Sequence, residues 1–99
     1  MRTITAVIRV KQGEEAAMKA ALLEVAADVQ ANEPGTVGFY LSQATENPCL
    51  FTTYERFVDD EAMDRHNGSE TVASFFARAR PLLDGDVILV TAGEYSAKI

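Results

Sequence analysis

The chain has 99 residues, 47% of them apolar, which suits one soluble domain (1–99) with a modest core and excludes a multidomain arrangement. Fifteen acidic residues against nine basic ones give a formal charge of −6; with no Lys/Arg cluster, such a surface repels a phosphate backbone, and no nucleic-acid partner is expected. A single cysteine, Cys49, excludes an internal disulfide and the usual thiolate zinc site, and no apolar run is long enough for a membrane span.

The opening "MRTITAVIRV" reads as a strand rather than a signal peptide, so a cytoplasmic location is expected. Over 3–10, Ile4, Ala6, Ile8 and Val10 share one strand face, and Val7 gives the other an apolar position too. "KQG" breaks the strand. From Glu14 to about Gln30 the period changes: Met18, Ala21, Leu22, Val25, Ala26 and Val29 recur three or four apart, as on an amphipathic helix whose first turn is acidic. "NEPG" stops it, because Pro34 cannot continue the ladder and Gly35 supplies a turn. Strands follow at 36–43 and 50–58, close enough to pair as a hairpin. Asp59 or Asp60 caps a short helix running to about His66, and Ser69 caps another with Val72, Phe75 and Phe76 as its buried face. Pro81 and Gly85 close that segment, and 86–98 supplies the last strand.

The order β-α-β-β-α-β predicts an α+β fold of the ferredoxin-like, split β-α-β type. Its four-stranded antiparallel sheet carries the helices on one face. The other face also carries sizeable side chains, and a domain this small should not leave them wet. Pairing of two sheets in a homodimer is the expectation.

Alternation on the third strand places Phe51, Thr53, Glu55 and Phe57 on one face, and Leu50, Thr52, Tyr54, Arg56 and Val58 on the other. Glu55 between two phenylalanines is the least expected placement in the chain. Buried, it could accept or hold a proton; alternatively it pairs with an arginine at the sheet edge. His66, the only histidine, is the obvious proton acceptor of an enzyme, or else a helix cap bonded to a terminal carbonyl. A lone histidine without neighbouring ligands argues against a metal. Tyr40, Tyr54 and Tyr95 suit half-buried strand positions as well as a cavity, and Cys49 has no activating partner nearby in sequence. Phosphate loops and nucleophile elbows are absent from the sequence.

Several landmarks together resemble one family. Gly13 after the first strand, "EPG" at 33–35, Glu55-x-Phe57, the acidic helix start at 59–61, His66, and Ser69 followed by Phe75-Phe76 are similar to the antibiotic biosynthesis monooxygenase family. The likeness spans nearly the whole chain, although Phe57 stands where the family often has tryptophan. The resemblance implies a dimeric α+β barrel with a pocket between helices and sheet. It also implies oxidation of a small aromatic phenol or quinol by molecular oxygen without flavin, haem or metal. On that reading His66 is the base or phenolate-stabilising donor, and Glu55 orients it or bonds the substrate. Phe39, Phe51, Phe57, Met63 and Phe76 are the expected apolar wall. An isomerase of a small hydroxyketone and a non-catalytic ligand-binding or structural dimer are the alternatives. A closed pocket shared by Glu55 and His66 favours an enzyme, and an oily one favours the oxygenase.

Overall fold

The computed structural model describes residues 1–98; Ile99, the last residue of the expected domain, lies outside the described residues. Strand β1 (Arg2–Arg9) leads through a turn to helix α1 (Glu15–Asn32), then to β2 (Thr36–Gln43) and β3 (Leu50–Phe57). Helices α2 (Asp60–Asn67) and α3 (Glu70–Ala79) follow, then one 3-10 turn (Arg80–Leu82) and β4 (Ile88–Gly93). The strands form one antiparallel sheet in the order β2-β3-β1-β4. This is the expected ferredoxin-like α+β architecture.

Pairing fixes the faces. Ile4 lies opposite Glu55, Ala6 opposite Thr53, and Ile8 opposite Phe51. On the other side of β3, Phe39 lies opposite Glu55. The helices cover this face. Met18 and Leu22 of α1 pack with Ala6, Ile8, Val10 and Phe51, while Ala62 of α2 packs with Ile4 and Phe57. Met18 and Phe57 are fully buried, and each such side chain contributes about 1.5–3 kcal/mol of burial free energy.

Two expectations need correction. The last strand ends at Gly93 rather than near residue 98, because Gly93 already pairs with Arg2 at the start of β1 and little partner strand remains beyond it. Glu94 makes one more backbone bond, to the Met1 carbonyl. On α3, Val72, Phe75 and Phe76 are half-buried rather than buried, since a cavity lies between them and the sheet.

The uncovered sheet face carries Tyr40, Tyr54, Ile88 and Val90, all exposed. Arg56 on this face forms a 2.7 Å ion pair with Glu94, which also accepts from the Tyr54 hydroxyl. None of the described helices is long and apolar enough to cross a membrane.

Candidate active site

Four short pieces of chain converge at one end of the sheet. Glu33 ends α1, its N–H donating to the Val29 carbonyl. Pro34 prevents another helical turn, and Gly35 carries the chain past α2 at close quarters. A Cβ at Gly35 would sit 2.7 Å from Ala62 Cβ and 3.3 Å from the Arg65 guanidinium, so only glycine allows this approach. The Asp59 carboxylate accepts from Ala62 N–H at 2.8 Å and sets where α2 begins. Ala62 and His66 are four residues apart and share a face, so the contact with Gly35 at Ala62 directs His66 inward one turn later.

His66 is only 5% exposed. Its backbone carbonyl is satisfied by Ser69 N–H, and its ring turns inward rather than capping the helix. Nδ1 lies 2.8 Å from Glu33 Oε1, and Nε2 lies 3.1 Å from Glu55 Oε1. The Thr53 hydroxyl donates to Glu55 Oε2 at 2.7 Å, and the Thr36 hydroxyl donates to Glu33 Oε1 at 2.7 Å. Phe57 and Phe39 flank the imidazole, with ring centres 5.3 and 6.0 Å away. Burial opposes a charged imidazole, but Glu55 and Glu33 outweigh it and raise the pKa above its ordinary 6.5. A proton on each nitrogen therefore suits the site: an imidazolium held between two carboxylates.

Glu55 and His66 line one end of a cavity of about 80 Å³ between the sheet and the helices. Leu22 and Val25 of α1, Val72, Phe75 and Phe76 of α3, and Val87 and Leu89 beside the β4 edge form most of the wall. Ile4, Ala6, Ile8 and Phe39 supply the rest of its apolar surface. The polar lining is confined to Thr53, Glu55, His66 and Asn67. Leu89, on the helix-covered face but at an edge strand, is 51% exposed and marks the side nearest solvent.

Of the residues singled out from sequence, Glu55, His66, Phe39 and Phe76 meet at this cavity. Phe51, Phe57 and Met63 lie outside its lining: Phe51 is in the core under α1, and Met63 packs beside Phe57 behind the imidazole. Glu33 was not expected. Its signal was a carboxylate inside the "EPG" turn, which reads as a helix stop until the fold brings it to His66. Cys49 lies elsewhere, half-buried, its thiol 3.4 Å from Glu15. Glu33 and Glu55 approach different ring nitrogens, and no group of three or more His, Cys, Asp or Glu side chains is placed to hold a metal among the described residues.

The same fold recurs widely among solved structures. A Shewanella oneidensis protein matches with a TM-score of 0.84 and 26% identity over 92% of this chain and 87% of its own. A Pseudomonas aeruginosa protein matches at 0.86, with 25% identity over 96% and 94%. A provisionally named antibiotic biosynthesis monooxygenase from Caulobacter crescentus matches at 0.89 with 21% identity over 96% and 90%, a likeness of fold. No curated protein matches the sequence. The sequence model described as antibiotic biosynthesis monooxygenase matches residues 1–78, and the chain belongs to that family.

Proposed function

We propose that the protein is a cofactor-independent monooxygenase that oxidises a small phenol or quinol with molecular oxygen. The observation that carries this reading is the buried Glu33–His66–Glu55 arrangement at one end of an otherwise apolar cavity. Glu55 takes the hydroxyl proton of the substrate, and the His66 imidazolium stabilises the phenolate that forms. The electron-rich anion passes one electron to oxygen, and the radical pair combines through a new carbon–oxygen bond at a ring carbon bearing hydrogen. Loss of that hydrogen as a proton and cleavage of the O–O bond leave one oxygen as a carbonyl and release the other as water. Phenol plus O₂ thus becomes quinone plus water, with no external reductant.

An apolar wall supports this chemistry over isomerisation of a hydroxyketone, which calls for several polar groups around the substrate. The exposed side chains Tyr40, Tyr54, Ile88 and Val90 support a homodimer closed by packing of the two uncovered sheet faces. Sedimentation of the protein and of Val90→Lys tests that part: a dimer that the lysine dissociates is expected, and a wild-type monomer refutes it.

Oxygen uptake by metal-stripped protein on a panel of phenols and quinols, with His66→Ala alongside, tests the reaction. Uptake above autoxidation that falls in the variant is expected. Uptake indifferent to the variant refutes the role of His66, and no uptake on any compound turns the reading toward a binding protein.

A further inference from the structure

The imidazole of His66 is reached from two sides. Its Nε2 edge meets Glu55 at the apolar cavity, and its Nδ1 edge meets Glu33 at 2.8 Å. Glu33 also lines a second recess, of about 240 Å³, with Asp28, Asn32, Thr36, Arg65 and Ser69. That recess is polar where the cavity is oily. Among the described residues, His66 alone lines both spaces. One imidazole ring thus stands between them.

The two sides differ in what they can do with a proton. In the cavity, the other polar groups are the Thr53 hydroxyl and the Asn67 amide, neither of which gains or loses a proton near neutral pH. On the far side, Glu33 Oε1 accepts from both Nδ1–H and the Thr36 hydroxyl. Glu33 Oε2 makes no hydrogen bond within the described residues, and no side-chain oxygen among them is buried without a partner, so Oε2 faces solvent. The neighbouring charges leave Glu33 to His66. Arg65, the cation of the recess, pairs with Glu61 at 3.1 Å, and Asp28 accepts from Asn32 at 2.8 Å.

We propose that His66 exchanges its proton with solvent through Glu33, by a route that never enters the substrate cavity. The Nδ1–H bond breaks as an O–H bond forms on the Glu33 carboxylate, and the carboxyl group passes that proton to water in the recess. The same steps in reverse recharge the ring. Nε2–H stays directed to the cavity throughout. A ligand can therefore fill the cavity without fixing the charge of the imidazole, which continues to follow the solution. Glu33 touches no substrate and acts only through His66. Its use in turnover rests on the oxidation proposed above, where the imidazolium is recharged from behind while a phenolate covers its front.

The test reads the ring protons, without substrate or oxygen. The chain has one histidine, so saturation transfer from water, below the raised pKa of His66, measures exchange at Nδ1–H and Nε2–H separately. Nδ1–H is expected to exchange at least about tenfold faster than Nε2–H, as suits a positioned proton acceptor beside water. Glu33→Gln should slow Nδ1–H by at least about tenfold. A merely structural or electrostatic role has the opposite sign, because the glutamine makes the ring more acidic and by itself speeds loss of the proton. Glu55→Gln should not slow Nδ1–H. Glu33→Ala opens a gap from the recess to the ring, and added formate should restore fast exchange there. Equal exchange at the two nitrogens of the native protein overturns the proposal. So does unchanged or faster Nδ1–H exchange in Glu33→Gln, or no recovery with formate. The native comparison decides the matter even where the variants fail to fold. Exchange through Glu33 without oxygen uptake would sink the monooxygenase reading alone; uptake with exchange indifferent to Glu33 would sink this inference alone.

Discussion

Replacing Glu33 by glutamine isolates the charge on the outer side of His66. Glu33→Gln keeps the side chain's length and an oxygen that can accept from Nδ1–H and the Thr36 hydroxyl. In the native site Nδ1 meets Glu33 Oε1 at 2.8 Å. A hydrogen bond to a charged group is worth roughly 1.5–3 kcal/mol and a neutral one roughly 0.5–1.5. The Glu33 side chain is 16% exposed, so solvent screens part of the difference, and the expected loss is about 1 kcal/mol. For a domain of this size that is a fall in Tm of roughly 4–8 °C. The loss belongs to the protonated ring. Because the folded pKa of His66 is raised above 6.5, the loss should be complete below that value and fade as pH climbs through the folded pKa. The same substitution should lower that pKa, which two-dimensional NMR of the single imidazole follows directly. An unmoved titration midpoint, or a Tm deficit equal at both ends of the pH range, would refute the ion-pair account.

Three other outcomes are expected. The native protein should lose stability as pH rises above 6.5 and through the folded pKa of His66, because the folded state holds the His66 proton more tightly than the unfolded chain; a urea-midpoint series checks this, and His66→Phe should reduce the slope. Gly35→Ala should cost about 1–3 kcal/mol and disturb the imidazole resonances, since its methyl would press on Ala62 and push the turn from α2; an undisturbed imidazole would show that this contact does not position His66. Asp59→Ala removes the cap of α2 and should cost about 1 kcal/mol in thermal unfolding, with a loss of under about 0.3 kcal/mol counting against the cap.

Much of the fold can be read in the order of residues, and the reason differs from one element to the next. Ile4, Ala6, Ile8 and Val10 alternate cleanly because one sheet face is covered by helices. Met18, Ala21, Leu22, Val25 and Val29 recur at helical spacing for the same reason, and all nine are buried. Alternation alone put Glu55 on the same strand face as Phe51 and Phe57, the face the helices cover. It could not show how far along the sheet the cavity reaches, so Phe51 reads like Phe39 although Phe51 lies under α1. Glu33 was hidden for a different reason. It comes 33 positions before His66, and a turn residue announces the direction of the chain rather than the target of its side chain. The half-buried face of α3 was also out of reach, because periodicity identifies an apolar stripe but not a gap left beneath it.

The placement of donors around Glu55 bears on turnover as well as on binding. A substrate arrives with a hydroxyl hydrogen to offer, whereas a quinone has only carbonyl oxygens. His66 can serve the phenolate while Glu55 carries the substrate's proton. Once that proton has left with the water, Glu55 is a carboxylate again and draws back both Thr53 and His66, at 2.7 and 3.1 Å, leaving the quinone without a donor. The site would thus recognise the reduced molecule and let go of the oxidised one. Product inhibition should be weak, with release following from the oxidation itself and requiring no opening of the fold.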